Sequence, residues 1–531
     1  MNKIARLILA SGESSPDMRY AAGFSTPDEF LYFSTDRERG VICSPLEFSR
    51  AVAQTRDGVT VHAEAEFGGP DRLEMLTRLA ASLGVAGYLV PSDFPVLWAD
   101  KLRGRGLEMR VESGGFFPQR EFKSAAEVEA VRETTPFSAE YGYLYRTRLD
   151  LLRRAAERTD AAERARVAAF LTDNPYLAQF CDFMARRRAN GDLPWCRWQD
   201  AAARDEQEYE AWGFIQYRFM SQWQAIHDYA AHRGVKILGD MPIYVSYDSC
   251  DVFANREQFL LDAAGAPTAV AGCPPDYFAR DGQLWGNPLY DWKRMEQDGY
   301  AWWRARMRHM LSVFDGVRID HFRGFESYWS IPADAQTARE GHWEPGPGMP
   351  LVQALRDVAA DIRTATGREV TVLAEDLGES TEALRQFVKD SGFPGMRVMQ
   401  FAFDGDPGNI HLPYNYDRNC AAYTGTHDNN TLLGFIWEAD PTTRRRILRY
   451  CGFTGTDWNC PEAYRAVIRT LLASTAGLAI LPIQDILGFG ADTRMNVPGR
   501  AEGNWCFRIT RDQLAGIDRA YYRELNQLYG R

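Results

Sequence analysis

GVRIDHF, at residues 316–322, is the stretch of sequence that decides the fold. It places an acid just past a short apolar run, as do TVLAEDLG (371–378) and TGTHDNN (424–430), the last of which follows the apolar residues Ala421–Tyr423. The carboxyl ends of parallel strands all lie at the same edge of a sheet. The residues that directly follow such strands are therefore expected to lie close together along that edge. The three carboxylates placed in this way are Asp320, Glu375 and Asp428.

Apolar runs on both sides of this stretch extend the pattern, each preceded by a helical segment. The predicted strands are Val235–Ile237, Gly316–Ile319, Val370–Leu373, Arg397–Phe403, Ala421–Tyr423 and Leu478–Leu481. The helical segments between them include Ala301–Val313, Leu351–Ala365 and Cys460–Ser474. Such alternation predicts a (β/α) TIM-type barrel. A closed barrel needs eight strands, so this one is predicted to lack its first two and to expose two edges.

Residues 1–135 have a different pattern of apolar runs, which predicts a small α/β domain. Its strands are predicted at Ile4–Leu9, Glu29–Phe33, Val41–Cys43, Val59–Ala63 and Gly87–Val90, with a helix over Pro70–Leu83. Residues 124–170 are charged, alanine-rich and helical, and Ser124 and Glu127 have the spacing of a capping box. We therefore divide the chain into residues 1–135, a helical junction at 136–174 and a barrel at 175–531.

Composition narrows the classes of function. A net charge of −11 over 531 residues argues against a nucleic-acid partner, which needs a basic surface. Nine scattered cysteines form no C-x-x-C pair, and neither zinc nor EF-hand spacing is present, so no metal is expected. No apolar run has the length of a signal peptide or a membrane span. A cytoplasmic protein is predicted.

Paired carboxylates on neighbouring strand tips suit the cleavage of a glycosidic bond. A retaining enzyme holds its two carboxyl groups about 5–5.5 Å apart, one to attack the anomeric carbon and one to protonate the leaving oxygen. Arg318 lies two residues before Asp320, so strand alternation puts both on one face, where the guanidinium would keep Asp320 ionised. Glu375 must hold a proton, which requires desolvation or a nearby anion.

Each feature alone has a plainer explanation. An acid after a strand is most often the N-cap of the next helix, and Arg318 with Asp320 could be a structural ion pair. Three such sites flanked by histidine or asparagine in one predicted barrel favour catalysis.

The three segments resemble those of the amylomaltases, the 4-α-glucanotransferases of glycoside hydrolase family 77. The likeness covers residues 175–531 and extends to PWCRW (194–198), FIQYRFMSQW (214–223), GDMPIYVSYDSCDVFANRE (239–257), AGCPPDYFARDGQLWGNPLYDW (271–292) and RMNVPGRAEGNW (494–505). It implies Asp320 as nucleophile, Glu375 as acid/base and Asp428 as the carboxylate that binds and distorts the sugar. It implies disproportionation of α-1,4-glucans and maltooligosaccharides without a cofactor.

The resemblance also implies a set of substrate contacts. Asp240, Asp276, Arg318 and His427 match family positions at the donor glucosyl unit, and Tyr277, Phe278 and Trp285 match aromatic positions over the acceptor. Core packing is the alternative for Phe278 and Trp285, and a structural role is equally open for Asn504 and Trp505. At residue 500 an arginine stands where the family has threonine.

Residues 1–135 instead resemble the N-terminal domain of creatinase and Xaa-Pro peptidases. The likeness rests on SPDMRYAAGF (15–24) and FFPQREFKSAAEVEAVRE (116–133), and it replaces the opening segment with which amylomaltases begin. The alternatives to an active transferase are a vestigial glucan-binding protein with an incomplete barrel, a glucan hydrolase and a peptidase. A partner chain that completes the barrel is a further possibility.

Overall fold

A computed structural model describes residues 3–531 except 12–17, 19–20, 24–25, 27, 57, 92–93, 113–134, 202, 276–279, 379–380 and 501. The chain divides into two compact units, residues 1–132 and 133–531. The predicted capping box at Ser124 and Glu127 lies outside the described residues. Among the described residues, no helix has the length and apolar character needed to cross a membrane.

The first unit is built on a mixed six-stranded sheet. Its elements are β1 (Ile4–Ser11), β2 (Glu29–Ser34), β3 (Arg39–Cys43), α1 (Phe48–Gln54), β4 (Thr60–Ala63), α2 (Arg72–Leu83), β5 (Gly87–Val90), α3 (Val96–Gly104) and β6 (Glu108–Val111). The strand order is β4-β3-β2-β1-β5-β6, with β1 antiparallel to β2 and parallel to β5. The α/β character and the five predicted strands are confirmed. The resemblance to a creatinase N-terminal domain stays a prediction.

The second unit opens with helices. They are α4 (Tyr141–Glu157), α5 (Ala161–Asp173), α6 (Pro175–Ala189) and α7 (Glu206–Ala231). Val167 and Leu171 of α5 pack against Leu177 and Cys181 of α6. The helices of the predicted junction therefore share a core with the helices that follow them.

A parallel six-stranded sheet forms the centre of the second unit. Its strands are β7 (Leu238–Met241), β10 (Gly316–Ile319), β13 (Thr371–Ala374), β14 (Gly395–Val398), β15 (Cys420–Tyr423) and β16 (Leu478–Ile480). Their order is β16-β15-β14-β13-β10-β7, and each described pair is parallel. A Cβ atom at Gly316 would lie 2.3 Å from the Thr371 carbonyl oxygen, so glycine is needed where β10 meets β13. This is the curled half of an α/β barrel.

Helices lie between these strands and after the last of them. They are α8 (Cys250–Ala254), α9 (Trp292–Gln297), α10 (Ala301–Val313), α11 (Gly348–Thr366), α12 (Glu382–Ser391), α13 (Leu432–Glu438), α14 (Pro441–Tyr450), α15 (Pro461–Leu472), α16 (Ile483–Leu487), α17 (Arg511–Ala515) and α18 (Arg519–Tyr529). Apolar faces of α10, α11 and α12 pack with the buried residues of β10 and β13 in one large core. That core holds the strand tips that bear the candidate site.

Two strand predictions are displaced. The strand expected at Val235–Ile237 begins at Leu238, because the pairing with β10 starts there and Val235 is exposed. The strand expected at Arg397–Phe403 ends at Val398, because its partner β15 offers only four residues, and a 3-10 turn follows over Met399–Phe401.

A second sheet in this unit was not predicted. It is formed by β8 (Ala269–Cys273), β9 (Gln283–Pro288), β11 (Ser327–Pro332) and β12 (His342–Pro345), all paired antiparallel in the order β12-β11-β8-β9. It carries two tryptophans of the candidate site, described below.

Candidate active site

The backbone places Asp320 and Glu375 side by side. β10 and β13 are in parallel register up to Ile319 and Ala374, and the ladder continues as the Glu375 amide donates to the Ile319 carbonyl over 3.0 Å. Paired strands lie about 4.8 Å apart, a separation that suits two carboxyl groups acting on one glycosidic bond. The two acids therefore leave neighbouring strands at the same level of the sheet.

Arg318 connects Asp240 and Asp320 at the carboxyl ends of the strands, which form the floor of the candidate site. Its Nε and Nη2 donate to the two carboxylate oxygens of Asp240 at 3.1 and 2.7 Å, and Nη2 also donates to Asp320 Oδ1 at 2.8 Å. Asp240 lies opposite Arg318 in β7, within the strand rather than beyond it. The shared face expected for Arg318 and Asp320 is confirmed.

The electrostatics of Asp320 combine opposing effects. Burial raises the pKa of its carboxyl above the ordinary value, and Asp240 and Asp428 add to the rise. Arg318 is the strongest group that lowers this pKa, and His427 acts in the same direction. The guanidinium predicted to keep Asp320 ionised therefore offsets the effect of burial only in part.

Glu375 has the properties of a proton donor near neutral pH. Burial first, and then the charge of Asp320, raise its pKa to about 7, while Arg318 lowers it. Its Oε2 accepts a hydrogen bond from the His321 amide at 2.7 Å and its Oε1 accepts one from the Leu377 amide at 2.8 Å. Both causes predicted for a raised pKa, desolvation and a nearby anion, are present.

This raised pKa makes folding stability depend on pH. The folded protein binds the Glu375 proton more tightly than the unfolded chain, so stability should fall as pH rises from about 4.5 to about 7. Glu375→Gln removes this titration and should flatten the profile by on the order of 3 kcal/mol between pH 4 and pH 8. Urea unfolding of both proteins at each pH measures the difference. Parallel profiles would contradict the raised pKa.

His321 is a residue that sequence reasoning missed. It adopts the left-handed conformation, with φ of +48°, which turns its amide towards Glu375. Its imidazole packs edge-on against the Trp285 indole, with ring centroids 5.0 Å apart. Burial lowers the pKa of His321 to about 4, so the ring is neutral. A non-glycine residue in this conformation is uncommon and tends to mark functional sites.

Asp428 follows β15 and is held by a segment distant in sequence. Its Oδ1 accepts a hydrogen bond from Asn496 Nδ2 at 2.6 Å, and its Oδ2 lies 3.4 Å from His427 Nε2. The Asn496 amide donates to the His427 carbonyl at 3.0 Å, and Arg494 donates to the Asp428 carbonyl. Asn496 belongs to the segment RMNVPGRAEGNW (494–505), but no sequence pattern predicted its contact with Asp428.

Three tryptophans border the site. Trp285 of β9 is 36% exposed and Trp505 is 48% exposed, so neither is a core residue. Trp505 adopts a φ of +61° and packs against His427, with ring centroids 4.9 Å apart. Trp343 of β12, which was not predicted, receives the Arg323 guanidinium 4.1 Å from its ring centre. The site thus presents aromatic surfaces beside its acids.

Asn504 lies at the cleft but uses its side chain to hold the adjoining loop. Its Oδ1 accepts from the Val497 amide at 2.9 Å, and its Nδ2 donates to the carbonyls of Val497 and Arg500. These contacts fit the alternative in which Asn504 has a structural role. Three further predicted residues, Asp276, Tyr277 and Phe278, lie outside the described residues.

A cleft of about 1430 Å³ brings the predicted residues together. Its lining includes Trp285, Arg318, Asp320, Glu375, His427, Asp428 and Asn504, and Asp240 joins them through Arg318. A cleft of this size accommodates several sugar units, with acids at its floor and aromatic rings at its sides. The arrangement can protonate a leaving oxygen while a second carboxylate attacks the neighbouring carbon.

Comparisons with known proteins agree with this chemistry. Residues 107–513 match the family model described as 4-alpha-glucanotransferase. A 4-alpha-glucanotransferase of Synechocystis is 43% identical, over 67% of this chain and 71% of that protein. One from Thermus thermophilus is 41% identical, over 71% of this chain and 78% of that protein. The amylomaltase of Streptococcus agalactiae in complex with acarbose superposes with a TM-score of 0.70, at 29% identity over 87% of this chain and 95% of that structure.

Proposed function

The chain belongs to the 4-alpha-glucanotransferase family, and from this premise we propose that it transfers α-1,4-glucan segments to the 4-OH of an acceptor glucan. The observation that carries the proposal is the placement of Asp320 and Glu375 on adjacent strand tips in one cleft. The vestigial alternative is not favoured, because relatives named for this activity match across most of their length.

In the proposed first step, Asp320 attacks the anomeric carbon of the donor glucan. Glu375 gives its proton to the oxygen of the breaking linkage, and the shortened glucan leaves with a free 4-OH. The glucosyl segment remains as an ester on Asp320. A pKa near 7 lets Glu375 hold the required proton at neutral pH.

In the second step, an acceptor glucan enters the position that the leaving glucan vacates. Glu375, now a carboxylate, takes the proton from the acceptor 4-OH as its oxygen attacks the anomeric carbon, and Asp320 is released. We propose that Asp428, with His427 beside it, binds the donor sugar and favours its distorted ring. Transfer prevails over hydrolysis if the aromatic residues hold the acceptor and exclude water.

The pairing of the strands below this floor does not depend on the two barrel strands that the sequence predicts to be missing. β10 lies between β7 and β13, β13 lies between β10 and β14, and β15 lies between β14 and β16. Each strand that precedes a candidate acid is therefore paired on both sides. We propose that the absence of two barrel strands, which the sequence predicts, affects the walls of the cleft more than its catalytic floor.

Incubation of the protein with maltotriose tests the proposed function. Disproportionation should release glucose together with longer dextrins, and the ratio of glucose released to glucan transferred separates transfer from hydrolysis. Well-folded protein that binds maltooligosaccharides in calorimetry without forming products would establish the vestigial alternative instead.

A cytoplasmic location is part of the proposal. All nine cysteines lie among the described residues and are free thiols, as is usual in a reducing compartment. Fractionation of the native cells, with activity followed in each fraction, tests it.

Asn496 is proposed to position Asp428. Asn496→Ala removes the hydrogen bond at 2.6 Å and should lower kcat by roughly 10-fold to 100-fold, since a small displacement of a catalytic group has effects of this size. KM should change little. Asn419→Ala, at the opposite end of β15, is the matched control and should retain activity. Equal kcat values for both variants would remove Asn496 from this role.

A further inference from the structure

Aromatic side chains continue outward from the cleft along one loop and one helix. Phe403 lines the cleft but is only 5% exposed, and its ring packs in the core against Tyr450 at the end of α14, with centroids 5.6 Å apart. Tyr450 in turn meets Tyr414 at 6.2 Å, and the Tyr414 side chain is 61% exposed. We call Phe403, Tyr450 and Tyr414 the outer aromatic track.

The track is held in place by hydrogen bonds of the loop that carries it. The Tyr414 hydroxyl donates to the Pro407 carbonyl at 2.8 Å, so its ring is fixed although its face is open to solvent. Asn409 Nδ2 donates to the Phe401 carbonyl and to Asp404 Oδ2, and Asn415 Nδ2 donates to the carbonyls of Pro407 and Asn409. A ring held rigidly in this way loses little conformational entropy when a ligand stacks on it.

Charges around the track are mixed rather than of one sign. Asp404 and Asp406 lie on the loop, while Arg446 donates to the Phe403 carbonyl at 2.9 Å and Arg449 lies beside Tyr450 in sequence. This setting favours an uncharged ligand that has both apolar faces and hydroxyl groups. Sugar rings have this character, because their C–H faces stack on aromatic rings and their hydroxyls bond polar neighbours.

We propose that the outer aromatic track binds distal glucose units of a long α-1,4-glucan whose reacting linkage lies at Asp320. The proposal rests on the proposed function and deepens it, since it makes the enzyme prefer long glucans over short ones. Single exposed aromatics are common on protein surfaces and need no ligand. Here the exposed rings of Tyr450 and Tyr414 pack against each other, and the buried Phe403 holds Tyr450 beside the cleft, so a chain that leaves the cleft along this loop meets two exposed rings.

Tyr414→Ala tests the track through its dependence on substrate length. The variant should lose roughly 3-fold to 10-fold in kcat/KM for amylose of several tens of glucose units, the size expected for one aromatic contact. Maltotriose is too short to span the track, so its kcat/KM should be unchanged. Tyr414→Phe keeps the ring but loses the bond to Pro407 that fixes it, so it should lose less than Tyr414→Ala on amylose and nothing on maltotriose.

Tyr229→Ala is the matched control, because Tyr229 on α7 is equally exposed, at 60%. Calorimetry with amylose, performed on Asp320→Asn with and without Tyr414→Ala, measures the same contact in the absence of turnover. Weaker amylose binding in the double variant supports the track even if the parent proves inactive. Equal losses for amylose and maltotriose, or unchanged binding of amylose, would overturn it.

Discussion

Asp320→Asn is expected to abolish transfer, with kcat on maltotriose lowered by on the order of 10⁴-fold to 10⁶-fold. An amide cannot form the glycosyl ester on which a retaining double displacement depends. Asparagine keeps the shape of the side chain and an oxygen that can accept from Arg318, which lies 2.8 Å away. The loss should therefore appear in kcat while maltooligosaccharide binding persists. Product formation by purified variant, followed for hours, measures it.

The same variant has an electrostatic consequence. The charge of Asp320 is the second largest cause of the raised pKa of Glu375, so removing it should bring that pKa below about 7. Infrared titration of the Glu375 carboxyl detects the change. Asp390→Asn, on the exposed face of α12, changes charge equally and should leave both activity and pKa intact. Near-normal turnover by Asp320→Asn would remove Asp320 from the nucleophile's role.

Much of the central sheet could be predicted because its signals are local. The helix predicted at Ala301–Val313 has those bounds in the structure, and the strand at Gly316–Ile319 is also as predicted. Apolar runs of four residues that end in an acid identify strand tips, and parallel pairing then brings distant tips together. The convergence of Asp320 and Glu375 follows from these two facts.

The residues that sequence reasoning missed act through contacts between distant segments. Asn496 reaches Asp428 across 68 residues, and no local pattern marks that pairing. His321 contributes its backbone amide in a left-handed conformation, which its residue type does not reveal. The antiparallel sheet that carries Trp285 and Trp343 was missed because glycine and proline interrupt its strands, as in Gln283–Pro288.

The second large effect is expected for Glu375→Gln. The variant cannot protonate the leaving oxygen, so kcat on maltotriose should fall by roughly 10²-fold to 10⁴-fold. With maltosyl fluoride as donor, fluoride leaves without a proton as Asp320 takes up the maltosyl group, so formation of the glycosyl-enzyme should be affected far less. The contrast between the two donors separates loss of acid catalysis from general damage to the cleft.

The pH dependence of the parent enzyme is an independent test of Glu375 as the proton donor. The first step needs protonated Glu375, whose pKa is about 7, so kcat/KM should fall as pH rises through that value. Glu375→Gln carries no such proton, and this alkaline limb should be absent from its residual activity. Glu382→Gln, an exposed change at the start of α12, should keep both the rate and the limb. If the limb survives in Glu375→Gln, or if both donors lose equally, then another group supplies the proton, and the pairing of Asp320 with Glu375 across one linkage is wrong.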